Sequence, residues 1–78
     1  MTNKNILLQR IIIDPNIMVG KPVIRGTRIP IKTVLEALTE GLTTEEIMEE
    51  YQLEKEDILA CIAFVTDALE DMNFATVN

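Results

Sequence analysis

Apolar residues recur along this chain in two rhythms, and each predicts a different kind of element. Residues 6–8 and 10–13 are β-rich runs of isoleucine and leucine broken at Gln9, and the second run closes at Asp14-Pro15-Asn16, where proline presets the turn. Ile11, Ile12 and Ile13 in succession predict a strand partly covered on both faces, too short to stand without a partner. Residues 20–29 supply one. There Val23-Ile24 and Arg28-Ile29 are short extended pieces, Gly26 provides the positive φ of a tight turn, and Pro22 suits a strand start or an edge.

From Pro30 the rhythm becomes helical. Ile31, Val34, Leu35, Leu38 and Leu42 mark a first amphipathic helix, with Pro30 in its first turn and Gly41 just past its end. Thr43 and Glu46 have the spacing of a capping box, which starts a second helix with Ile47, Met48 and Tyr51 facing inward. Gln52-Leu53 makes a short break. Glu54, Glu56 and Asp57 then sit in the first turn of a third helix, where the helix dipole favours acids.

The third helix, residues 57–72, is the stretch on which the others depend, because residues 58–65 are apolar on every side. Ile58, Ile62, Val65, Leu69 and Met72 form one stripe expected to face the chain's own core. Cys61, Phe64 and Ala68 form a second stripe beside it, with Leu59, Ala60 and Ala63 in addition. So small a chain has few elements to cover two stripes, so the expectation is a homodimer with Cys61, Phe64 and Ala68 at its interface.

The fold class expected is mainly α, a three-helix body in helix-turn-helix layout with a short N-terminal β arm or hairpin. It forms a single domain over 1–78, divided into a β arm (1–30), a trihelical body (31–72) and a tail (73–78). A domain of this size gains only about 3–5 kcal/mol from one core, which makes association common. A lone cysteine and no histidine exclude a disulfide framework and the usual zinc clusters. No basic leader with a long apolar run is present, so a soluble, cytoplasmic protein with no membrane association is expected.

Charge divides the chain. Residues 1–32 carry six basic groups against Asp14, and the remainder carries Lys55 against twelve acids, for a net charge of −6. The turn that a helix-turn-helix would present to DNA reads Glu54-Lys55-Glu56-Asp57, which repels phosphates. Glu45, Glu46, Glu49 and Glu50 on the second helix read as a solvated face, with a divalent-ion site as the alternative. Lys21, Arg25, Arg28 and Lys32 on the basic arm read either as a solvated sheet edge or as the group that meets an anion, either a phosphate backbone or a partner's carboxylates. With no histidine, no serine and a thiol in mid-helix, no catalytic residue, metal ligand or cofactor is expected, and the protein reads as a non-enzyme.

Arg10-Ile11-Ile12-Ile13-Asp14-Pro15, then Gly20-Lys21-Pro22-Val23-Ile24-Arg25-Gly26-Thr27-Arg28-Ile29-Pro30-Ile31, then Leu42-Thr43-Thr44-Glu45-Glu46-Ile47 and Asp57-Ile58, in that order, strongly resemble the domain-of-unknown-function 433 family of small bacterial and archaeal proteins. The resemblance implies a homeodomain-like trihelical fold and a role as antitoxin in a type II toxin-antitoxin pair. Its partner would be a PIN-like nuclease toxin, with repression of its own operon through operator DNA as a second role. One departure is Glu54, where the family usually has threonine or serine to cap the third helix. Because PIN-like nucleases hold a divalent metal among carboxylates, Arg25 or Arg28 is expected to fill that acidic site, while the acidic body meets a basic RNA-binding surface. The competing expectations are a stand-alone dimeric DNA-binding transcriptional regulator and a dimeric adaptor that does neither.

Overall fold

Three α-helices and the N-terminal hairpin pack against a single longer helix. The computed structural model describes residues 3–72 as α1 (Lys4–Leu8), β1 (Ile11–Ile12), β2 (Val23–Ile24), α2 (Ile31–Thr39), α3 (Thr44–Tyr51) and α4 (Lys55–Glu70). Helices α1, α2 and α3 and strand β1 each contact α4. The tail expected at 73–78 lies outside the described residues. Among the described residues no helix is long and apolar enough to cross a membrane.

The arm is a small antiparallel hairpin in which Ile11 faces Ile24 and Ile12 faces Val23. Its ladder extends by one bond at the near end, where the Arg25 N–H donates to the Arg10 carbonyl at 2.7 Å. Pro30 bridges to Val23 on the other side of β2, so β2 runs between two extended segments and is fully covered. The turn at Asp14-Pro15-Asn16 forms as expected, with the Asn16 N–H donating to Asp14 Oδ1.

Residues 6–8, expected as extended, belong instead to α1. The Asn3 side chain caps that helix by accepting from the Asn5 N–H at 2.7 Å, and α1 lies against α4. The asparagine cap and the contact with α4, which half-buries Leu7 and Leu8, outweigh the β preference of one isoleucine that itself stays 57% exposed.

Both later helix boundaries follow from sequence chemistry. Helix α2 ends in a Schellman motif, with Gly41 at φ +95, its N–H on the Leu38 carbonyl and the Leu42 N–H on the Ala37 carbonyl. Helix α3 begins with the full capping box, with the Glu46 N–H on Thr43 Oγ1 at 3.1 Å and the Thr43 N–H on Glu46 Oε1 at 2.8 Å.

The core is Ile24 from the arm, Ile31, Val34 and Ala37 from α2, Ile47 from α3, Leu53 from the break, and Ile58 and Cys61 from α4. This corrects the expected orientation of α4. Of the stripe assigned to the core, Ile58 is buried and Val65 half-buried, but Ile62 is 42% exposed, Leu69 48% and Met72 55%. Cys61, assigned to the outward stripe and to the dimer interface, is fully buried in the chain's own core. Phe64 packs half-buried against that core, and Ala68 alone of the three is exposed. The expected stripe assumed that the core runs the full length of α4. Residues 68–72 are instead exposed on every side. Helix α1 occupies a further face, marked by the Lys4 Nζ to Asp67 Oδ1 ion pair at 2.9 Å; Ala60, two turns earlier on that face, is fully buried.

Among the described residues three side chains, those of Met18, Val19 and Gln52, sit at left-handed backbone positions that sterics disfavour. Gln52, between α3 and α4, has φ +55, and Val19, 92% exposed in the loop between β1 and β2, has φ +57. Gln52→Gly and Val19→Gly are each expected to raise stability by about 0.5–1 kcal/mol, read as a higher urea midpoint at unchanged m-value. Burial, and secondarily the charge of Asp57, push the Cys61 thiol up to about 12. Cys61 is therefore expected to resist alkylation at mildly alkaline pH in the folded protein and to react only on unfolding.

Candidate functional site

The four cations of the arm do not form one patch. The hairpin separates them into two pairs, one at each end of its ladder. Beyond the Ile11–Ile24 pair lies the turn Arg25-Gly26-Thr27-Arg28, beside the backbone of Arg10. At the opposite end the Ile31 N–H donates to the Pro22 carbonyl at 3.0 Å, which brings Lys21 and Lys32 to either side of that contact.

The turn is held tightly. Its Thr27 N–H closes on the Ile24 carbonyl at 3.0 Å, and Gly26 takes φ +80 at the third position, which admits glycine freely. The Thr27 hydroxyl donates to the same carbonyl at 2.7 Å and accepts from the Ile29 N–H at 3.0 Å. Arg25 and Arg28 flank this rigid pair, and both are exposed. Among the described residues the ion pairs are made by Lys4 and Arg10, so Arg25, Arg28, Lys21 and Lys32 have no carboxylate partner there.

Arg10 has a different role. One guanidinium nitrogen donates to Glu54 Oε1 at 3.1 Å and to Asp57 Oδ1 at 3.0 Å, joining the arm to the first turn of α4. Those bonds, to Glu54 and then to Asp57, hold the guanidinium further above its usual range. The second oxygen of Asp57 accepts from the Glu54 N–H at 2.9 Å, so the missing threonine or serine cap is offset by an acid three residues on. With its side chain only 13% exposed, Asp57 depends on both donors.

Sequence reasoning counted Arg10 among the basic groups without finding this link. Its partners lie 44 and 47 residues away, and no local spacing signals a contact at that separation. Beside the link, Ile6, Gln9, Arg10, Arg25, Glu54 and Asp57 line an open hollow of about 440 Å³. Arg25 therefore stands at the rim of a site whose acids are already engaged by Arg10. Glu36, Glu40 and Glu50 line a second hollow, of about 340 Å³, between α2 and α3.

Two guanidinium groups on a fixed turn match a carboxylate or phosphate cluster, and Arg10 is already committed within the chain.

A family model described as "Protein of unknown function (DUF433)" matches residues 11–65, which include the whole turn, both strands, α2, α3 and most of α4. An uncharacterized protein of Archaeoglobus fulgidus is 58% identical over 24 residues, which is 31% of this chain and 67% of that one. A crystal structure of a DUF433 member protein from Anabaena variabilis superposes on 85% of this chain with a TM-score of 0.73 and 30% identity. The chain spans 66% of that protein, just under two thirds of its length. Since the family model covers well over half of the sequence, the chain belongs to the DUF433 family of proteins of unknown function.

Proposed function

We propose that this protein is a non-catalytic antitoxin that acts in the cytoplasm, binding and neutralising a PIN-like nuclease through the turn at Arg25 and Arg28. The observation that carries the reading is a rigid, exposed turn whose two arginines have no acid of their own chain to pair with among the described residues. Because the backbone of the turn is already fixed, binding costs the rotamer freedom of the two arginine side chains but no ordering of the loop that carries them. Inserted among the carboxylates that hold the nuclease's divalent metal, Arg25 or Arg28 would supply positive charge in the metal's place. The acids of α2 and α3 complement a basic RNA-binding surface.

A non-catalytic role is consistent with the chemistry at hand. The chain has neither histidine nor serine, and its thiol is buried and held protonated. A DNA-reading role for α4 is weakened further by its first turn, where Glu54 and Asp57 are fixed in place by Arg10 and Glu56 adds a further acid.

Arg25→Glu with Arg28→Glu is expected to leave the circular dichroism spectrum unchanged. It should abolish co-purification with, and inhibition of, the nuclease encoded beside the gene, at a cost of tenfold or more in affinity per arginine, about 1.5–3 kcal/mol each. Thr27→Val keeps both charges but removes the hydroxyl bonds that fix the turn, and is expected to weaken the same complex by a smaller factor. Unchanged inhibition by the double reversal would refute the reading. For a stand-alone DNA-binding regulator, the protein alone would bind its own upstream DNA with an affinity falling steeply with salt, at a log–log slope near −0.9 per phosphate contact.

A further inference from the structure

We propose that α4 pairs with α4 of a second copy of this chain, antiparallel across a two-fold axis, through Leu59, Ile62, Thr66 and Leu69. This goes beyond the cationic turn and does not depend on it.

With α2, α3 and the arm packed on one side of α4 and α1 on another, a third face remains open. That face carries Lys55, Leu59, Ile62, Thr66 and Leu69, all exposed in the single chain. Their spacing alternates four and three, the heptad period by which one helix presents a seam to another helix. The seam is also symmetric about its midpoint. Leu59 and Leu69 are equidistant from residue 64, as are Ile62 and Thr66, so a two-fold axis there sets leucine against leucine and Ile62 against Thr66. Thr66 can enter such an interface without stranding a polar group, because its hydroxyl already donates to the Ile62 carbonyl at 2.9 Å.

Charge selects the direction of pairing. Lys55 stands at the N-terminal end of the seam, and Glu70 beside its C-terminal end. Within one chain these residues are fifteen positions apart, about 22 Å along the helix, and cannot pair. Antiparallel packing about residue 64 leaves Lys55 of each copy three positions, about 4.5 Å along the axis, from the level of Glu70 of the other, within reach of a lysine side chain although Glu70 also lies near Lys4 of its own chain, whereas parallel packing would set Lys55 against Lys55 and Glu70 against Glu70. A second copy of α4 is thus complementary to α4 in apolar content, in the symmetry of its seam and in charge.

Sedimentation equilibrium of the full chain at micromolar concentration is expected to return the dimer mass. Ile62→Glu changes a residue outside the core and is expected to give a monomer with the helical spectrum intact. Lys55→Glu should weaken the dimer several-fold, and Lys55→Glu combined with Glu70→Lys should restore it. Lys55 also lies near Glu45 of its own chain, but a change at residue 70 cannot repair that contact, so restoration reads the pairing between copies. A monomeric wild type, a dimer that survives Ile62→Glu, or a double variant no tighter than Lys55→Glu alone would each overturn the proposal.

Discussion

Helix α4 must be covered, and it is too apolar for any single neighbour to do it. Its residues 58–65 are apolar around the whole circumference, and the chain answers face by face. Ile58 and Cys61 close onto Ile24, Val34 and Ile47 to make the core, while α1 lies along the face of Ala60 and Asp67. Each fully buried isoleucine here contributes about 1.5–3 kcal/mol, and few such residues are available in so short a chain. The positions of the arm, the capped helix α3 and the short α1 all follow from that requirement.

The arm is held to α4 by charge as well as by packing. Arg10 engages Glu54 and Asp57 at the one helix end where acids are already favoured by the dipole, and Asp57 in turn caps that end. The result is a division among the basic residues. Arg10 is structural, whereas Arg25, whose N–H bonds the Arg10 carbonyl, and Arg28 at the same hairpin end have no acid partner among the described residues. A net charge of −6 conceals this, because the acids gather on α2, α3 and the ends of α4 while the unpaired arginines share one turn.

Much of this was legible in the sequence where the signal is local. The hairpin partner of residues 11–12, the glycine turn, the Schellman end at Gly41 and the Thr43 to Glu46 box each depend on a few neighbouring residues whose chemistry permits little else. What was not legible depends on partners far away in sequence. Residues 6–8 became helical because α4 offered them a face, and the stripe of α4 that faces the core could not be picked from a segment apolar all round. Cys61 and Ile62 are neighbours of similar hydropathy, yet one is buried and the other is 42% exposed, and the placement of α2, α3 and the arm decides between them. In the candidate site, the arginines of the turn were identified by their charge and their glycine, but the separate role of Arg10 needed the fold.

The division of α4 into two covered faces and one open face can be measured directly in dilute solution. Methyl resonances recorded with a soluble paramagnetic probe, at a concentration low enough for single chains, should show Leu59, Ile62 and Leu69 strongly attenuated and Ile58 shielded. Raising the protein concentration should then shield Leu59, Ile62 and Leu69 together. Attenuation of Ile58 with Ile62 protected in the dilute sample would mean that α4 is rotated about its axis relative to this structure, and the account built on its faces would fail.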